Sequence, residues 1–407
     1  MREGWEIKNL NDICSFYNGL WTGKKPPFNK VGVIRNTNFT KEGKLDDREI
    51  VYLEVEQSQF LKRQLQYGDI ILEKSGGGPK QPVGRVILFD KKEGDYSFSN
   101  FTSVIRVHDL ANVNFEYLHR YLHHLYISGA TESMQSHSTG IRNLKFNEYK
   151  AIKIPLPTLP EQQRIVSILD EAFVAIDKAK TNYEQNLKNA KELFASYLEE
   201  VFRKKGDGWE EASIGEIGKV CMCKRILKHQ TTAHGEIPFY KIGTFGKEPD
   251  AFISESLYSN YRQKFSFPKK GDVLLSASGT IGRRVIYDGK PAYFQDSNIV
   301  WVDNDESIVL NSYLYHVYGS CKWNATNGAT IARLYNADLR QIKFTFPQSI
   351  QEQRKIVITI ESILSRSEFL QSVYIKKIQD LDELKKSLLQ KAFCGELTAN
   401  QLVEANV

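Results

Sequence analysis

The segment PLPTLPEQQRIV at 155–166 returns as FPQSIQEQRKIV at 346–357, so the chain writes a proline-ended strand, a turn and a helix start twice. Four other landmarks repeat in the same order. Gly4-Trp5-Glu6 returns as Gly208-Trp209-Glu210, and YGDIILEKSGGG (67–78) as KGDVLLSASGTIG (270–282). YLHRYLHHL (117–125) is matched by YLYHVYGS (313–320), and GIRNLKFNEYKAIKIPLP (140–157) by TIARLYNADLRQIKFTFP (330–347). An ordered duplication of this kind predicts two related folding units rather than one large core.

After the second member of each pair the match runs without gaps. Glu161, Gln162, Ile165, Val166, Tyr183, Glu192, Leu193, Ser196, Leu198 and Phe202 reappear 191 positions later as Glu352, Gln353, Ile356, Val357, Tyr374, Glu383, Leu384, Ser387, Leu389 and Phe393. Alternating steps of four and three from Ile165 pass through Leu169, Ile176, Tyr183 and Leu193. The same walk from Ile356 passes through Ile360, Ile363, Tyr374 and Leu384. These ten residues are the expected helix seam or partner-docking face, of coiled-coil type and about five heptads long. Asn186 and Lys377 fall at equivalent steps and are expected to act as a register device. Pro157, Pro160 and Glu161 punctuate the first helix start, and Pro347 and Glu352 the second, one residue further apart.

A helix of this length makes a rod of about 60 Å, and its apolar stripe needs cover. Packing the two copies on each other, antiparallel, predicts a dumbbell. The expected fold class is therefore α+β, with two pseudo-repeated globular α/β domains joined by two long antiparallel coiled-coil helices. The expected boundaries are 1–157 and 206–347 for the globules, 158–205 for the central helix, and 348–407 for the C-terminal helix and tail.

Composition excludes little. A hydrophobic share of 41% and a charged share of 26% suit a folded chain rather than a disordered one. MREGWEIKNL lacks the apolar core of a signal peptide and no long apolar run follows, so a cytoplasmic location without membrane insertion is expected. Five scattered cysteines suit reduced thiols; Cys221 and Cys223 form a lone CxC without a second pair at zinc spacing. The net charge of +6 permits a nucleic-acid partner without requiring one.

The placement of the cations says more. In the first globule, glycine-flexed loops carry Lys24, Lys25, Arg35, Asn36, Lys74, Lys80, Gln81, Arg85, Arg142 and Lys145. In the second they carry Lys224, Arg225, Lys241, Ser278, Thr280, Arg283, Arg284 and Arg333. These residue types contact phosphates and read base edges, so they form the candidate DNA-binding set. SGGGPK and SGTIGR do not fit a phosphate-binding loop, and KPPF at 25–28 has Lys25 where an amino-methyltransferase motif needs an acceptor. His119 and His123 stand four apart but lack the glutamate and third ligand of a zinc helix. No catalytic constellation or metal site is assigned.

The chain resembles the specificity subunit of type I restriction-modification enzymes. The residues that carry the likeness are IPLPTLPEQQRIV, FTFPQSIQEQRKIV, the GD(I/V)(I/L)L and SGTIGR segments, and LLQKAFCGELT at 388–398. The resemblance implies that each globule is a target recognition domain reading one half of a bipartite, interrupted sequence in double-stranded DNA. It also implies that the helices dock two methylation subunits and restriction/translocase subunits, and that the chain has no catalysis of its own. S-adenosylmethionine, ATP and Mg are then expected on the partner subunits. The competing readings are a self-contained DNA-modifying enzyme with a duplicated domain and a coiled-coil scaffold for other ligands.

Overall fold

The runs DIILE and DVLLS form the central strands of two sheets built to one plan. In the computed structural model, which describes residues 4–20, 23–78, 81–138, 141–203, 206–321, 323, 326–327 and 332–398, the strand Ile70–Glu73 lies between Thr102–Val107 and Val86–Leu88, with Cys14–Asn18 at the far edge. The strand Val273–Ser276 lies between Ile299–Asn304 and Arg284–Ile286, with Gly218–Cys221 at the edge. All pairings in both four-stranded sheets are antiparallel. Successive strand residues point to opposite faces. Ile70 and Leu72 thus join one core cluster while Ile71 joins another, and Val273 and Leu275 are likewise separated from Leu274. A strand covered on both faces reads as an unbroken apolar run, which is how these segments look in sequence.

Each globule adds a three-stranded sheet with one parallel pair. In the first, Phe28–Ile34 pairs antiparallel with Val51–Glu56 and parallel with Tyr96–Phe98. In the second, Ile237–Tyr240 does the same with Phe252–Ile253 and Tyr293–Phe294. The repeated Gly-Trp-Glu segments close each globule on itself. Glu6 sits opposite Leu156, and Trp209 opposite Pro347, so the first strand pairs with the last one before the helix.

The aspartate of each Gly-Asp step is a buried fastener. Asp69 Oδ2 accepts from the Gln66 N–H at 2.8 Å and its carboxylate is gripped by Arg106. Asp272 Oδ2 accepts from the Lys269 N–H at 2.7 Å, and Oδ1 accepts from Asn311. Among the described residues no arginine grips Asp272 as Arg106 grips Asp69, and burial raises the Asp272 carboxyl above its usual range.

The two long helices span Leu159–Arg203 and Ile350–Cys394, 45 residues each, and begin at equivalent positions. The extra residue after Pro347 is absorbed in the turn before Ile350. The fully buried Gln162 and Gln353 anchor these starts, each donating to the carbonyl of the proline that ends its strand, at 2.8 Å to Pro157 and 2.9 Å to Pro347.

The chain packs as two units, one running to Tyr183 and resuming at Lys376, the other Glu184–Ile375. In the first unit the two helical segments run antiparallel, with Lys180 bound to Asp382 at 2.7 Å and Asp177 to Lys385. In the second, Ser367 donates to the Ala190 carbonyl at 3.0 Å and Thr345 to that of Phe202 at 2.9 Å.

The seam differs from the expected one. Ile165, Leu169, Ile176 and Ile360 are buried and Tyr183, Ile356, Ile363 and Tyr374 half-buried, but Leu193 is 71% and Leu384 45% exposed. Leu187, Ala190 and Phe194 face inward on the first helix, and Gln371, Ile378 and Lys385 on the second. The inward face thus advances from Ile165 to Val201 in ten steps, the 3.6-residue period of a straight helix; a strict heptad walk averages 3.5 and falls one residue behind. Asn186 and Lys377 are consequently exposed and set no register. Polar groups on the inward face include Ser367, Gln371 and Lys385.

Candidate nucleic-acid interface

Both globules end their central hairpin in a loop held by the same backbone frame. Glu73 N–H donates to the Arg85 carbonyl and Ser276 N–H to that of Arg283, each at 2.8 Å. Lys74 N–H reaches the Phe101 carbonyl at 3.0 Å, as Ala277 N–H reaches that of Asn298 at 2.7 Å. The Leu144 and Leu334 amides then bind the carbonyls of Lys74 and Ala277, both at 2.8 Å. Three chain segments therefore meet at one end of each sheet, and the frame matches Ser75 with Ser278, Asn143 with Arg333, Phe101 with Asn298 and Val86 with Arg284.

The side chains on this shared frame differ. In the first globule Asn36, Phe39, Glu73, Gly76, Gln81 and Arg85 line an open cleft of about 720 Å³. Arg85 binds the buried Glu73 at 2.7 Å and also donates to the Phe39 and Asn36 carbonyls. With its amide oxygen turned inward, Gln81 accepts from Arg85 Nη2 at 2.7 Å, leaving its NH2 to the cleft. Asn36 donates to the Ser75 carbonyl at 2.8 Å. Ser75 in turn donates to Asn143.

In the second globule the centre is Asn298. Its Oδ1 accepts from Ser278 Oγ at 2.8 Å and from Arg333 Nη2 at 3.3 Å. Ser297 beside it holds a left-handed φ of 55°, unusual for a residue with a side chain. Arg284 lies 4.4 Å from the Tyr315 ring centroid. Arg283 donates to the Phe245 carbonyl at 2.9 Å, and its own N–H to Ser276 Oγ, so it braces the loop from within. Thr280 is exposed at the tip, its carbonyl accepting from Ser276 at 2.6 Å.

The remaining predicted residues are more dispersed. Lys24 and Lys25 are exposed, and the Lys25 N–H donates to Glu56 at 3.2 Å. Arg35 is half-buried, and Lys74 donates to Asn18 at 2.8 Å, burial lowering its ammonium pKa. Arg142 sits half-buried opposite Gly77, and Lys145 pairs with Glu148 at 3.3 Å. Lys224 lies over the Phe265 ring, Arg225 pairs with Asp296 at 2.8 Å, and Lys241 with Asp250 at 2.8 Å. Lys80 lies outside the described residues.

The loop residues missed in sequence are Asn143, Asn298 and Phe101, the last 47% exposed. Their signal is weak, because SNF and DSN look like ordinary turn formers before an apolar strand. The other singled-out groups are internal. His119 and His123 are buried with ring centroids 6.3 Å apart, and burial pushes the Cys223 thiol up to about 12.

Comparison with known proteins agrees with this duplication. Residues 2–189 and 206–379 each match the model for the type I restriction modification DNA specificity domain. A putative type I restriction enzyme specificity subunit from Haemophilus influenzae is 50% identical over 223 residues, covering 54% of this chain and 56% of that protein. The chain thus spans about half the length of that relative. The StySPI specificity subunit of Salmonella potsdam is 23% identical over 99% of this chain and 91% of its own. A solved chain from a study of complex assembly and conformational transition of the type I R-M system superposes with a TM-score of 0.78 at 19% identity, covering 98% and 99% of the two chains. The HsdS subunit from Thermoanaerobacter tengcongensis gives 0.66 at 19% identity, covering 98% of each.

Proposed function

Because this chain belongs to the family of type I restriction modification DNA specificity domains, we propose that each of its globules reads one half of a bipartite, interrupted target in double-stranded DNA. Its place is that of the non-catalytic specificity subunit, in line with its relatives. The observation that carries the proposal is the pair of matched hairpin frames bearing different side chains. Ser75 with Asn143 stands where Ser278 with Arg333 stands, and Phe101 where Asn298 stands. A conserved frame with divergent tips is what two readers of unlike half-sites need, since base edges are told apart by donor and acceptor pattern.

In this reading the helices set the interval between half-sites, as spacing in a DNA target mirrors geometry in the protein. Their outer faces dock two methylation subunits, with restriction/translocase subunits completing the assembly in the cytoplasm. S-adenosylmethionine, ATP and Mg belong to those partners. Exposed apolar residues on the helices, Val174, Leu193, Ile358 and Phe369 among them, fit a docking role.

The test is binding of the full chain, assembled with its methylation subunits, to duplex DNA at low and high salt. Contact with phosphates predicts affinity falling steeply as salt rises from about 50 to 200 mM. Salt-independent binding contradicts the proposal.

A further inference from the structure

The second globule carries a basic cleft at the opposite end of its central hairpin from the recognition tip. Arg262, Lys269, Lys270 and Lys290 line an open cavity of about 790 Å³ with Phe265 and Asp288. Lys270 precedes the strand Val273–Ser276, and Lys290 follows Arg284–Ile286. The tip begins at Ala277, seven residues beyond Lys270, or about 20 Å at the rise of a strand. The cleft is therefore separate from the Ser278–Asn298–Arg333 cluster.

Two of these cations, Arg262 and Lys270, have no carboxylate partner among the described residues, and the other two are paired only in solvent. Gly289, with φ 86°, lets its turn close so tightly on the Lys270 stem that an added Cβ would stand 3.2 Å from the lysine Cβ. Lys270 has no ion-pair partner among the described residues. Arg262 packs its guanidinium on the Tyr258 and Phe267 rings rather than on a carboxylate. Lys290 pairs with Asp288 at 3.3 Å and Lys269 with Asp303 at 2.9 Å, both in solvent where such pairs are weak. Lys224 lies over Phe265, which is 40% exposed at the cleft wall. Four cations thus face one lining carboxylate, on a surface open to a large polyanion.

The equivalent end of the first hairpin lacks this excess. There Lys91 is bound to Asp47 at 2.7 Å and Lys92 lies over Tyr67, while Asp90 and Glu93 flank them in sequence.

We infer that the cleft of Arg262, Lys269, Lys270 and Lys290 is a second DNA contact, binding the phosphodiester backbone outside the half-site without reading its bases. The inference rests on the function proposed above and adds to it a clamp on the second globule. Phosphate contacts fix register and orientation but carry no sequence information.

The experiment compares the full assembled complex with a K270A/K290A double variant, both residues being exposed and outside the core. Affinity for cognate and mutated duplexes is measured across a salt series. Each lost phosphate contact lowers the slope of log affinity against log salt by about 0.9, so the double variant is expected to lose about 1.8, equally for both duplexes. An unchanged slope overturns the inference, as does a loss confined to the cognate duplex. A K91A/K92A variant is the internal control, expected to keep the wild-type slope; an equal loss there reduces the effect to general charge and also overturns the inference. If the wild-type complex itself shows no salt dependence, the failure lies with the proposed function.

Discussion

Gln162 and Gln353, fully buried at equivalent places in the two long helices, make the same three hydrogen bonds. Gln162 Oε1 accepts from the Asn114 N–H at 2.9 Å, and its Nε2 donates to the Asn112 and Pro157 carbonyls, both at 2.8 Å. Gln353 Oε1 accepts from the Leu310 N–H at 2.9 Å, and its Nε2 donates to the Ile308 and Pro347 carbonyls at 2.8 and 2.9 Å. One amide ties the helix start to its own strand and to the loop that opens the globule's helix. No other side chain offers a donor pair and an acceptor in that reach.

Replacing either glutamine by alanine takes the side-chain partner from three backbone groups, the buried Pro157 or Pro347 carbonyl among them, at a cost of about 1–3 kcal/mol. The damage is expected to be local. Hydrogen exchange should speed up at 112–118 in Gln162→Ala and at 308–314 in Gln353→Ala, each without the other. Equal loss of protection in both segments would contradict this independence.

Arg85 and Arg333 were equal candidates for DNA contact but occupy different environments. Arg85 is bound to a Glu73 side chain that is 2% exposed, so Arg85→Ala strands a buried carboxylate and should destabilise the first unit by about 3 kcal/mol or more. Arg333 is exposed, and its alanine variant should change stability by less than about 1 kcal/mol. Urea unfolding of the two variants distinguishes these outcomes.

Three histidines make stability depend on acid. Burial holds His119 at about 3 and His123 at about 4, and burial with the nearby Arg284 holds His316 at about 4, against an ordinary 6.5. Their folded pKa values lie below the unfolded one, so their neutral forms are favoured in the fold. Their contribution is complete above pH 6.5 and is lost as pH falls through that value toward 4. Melting temperature should drop over this window, and a His119→Phe variant should flatten the drop; a flat wild-type profile would contradict the assignment.

The helix pairing dictates which segments have to be removed together to shorten the interval. Asp177 meets Lys385 and Lys180 meets Asp382, so residues 172–178 face 384–390 across the antiparallel seam. Removing both segments together shortens each helix by about 10 Å and turns its face by only about 20°. The preferred spacer between half-sites should shrink by about three base pairs. Removal of 172–178 alone mismatches the seam and should unfold the first unit instead.

The duplication was legible because it is written in order, and the repeated Gly-Asp steps and proline junctions mark matching structural roles. The helix starts were legible too, but the meaning of Gln162 was not: a buried glutamine looks like any polar residue in a first turn. The seam was misread from Asn186 onward, since about a fifth of a residue over two steps is invisible locally and decisive by Leu193. Among the loop cations, sequence could not separate Arg85 and Arg283, which brace loops, from Arg333, because that depends on Glu73 and Phe245, far away in the chain.

The central claim is that two globules read two halves of one interrupted site. Sequencing the methylated adenines in a host that carries this chain and its methylation subunits, beside one carrying Arg333→Ala, tests it directly. The account predicts a motif of two specific blocks separated by unspecified bases, with the variant relaxing one block and leaving the other unchanged. A continuous motif, or a variant that alters both blocks alike, would contradict it.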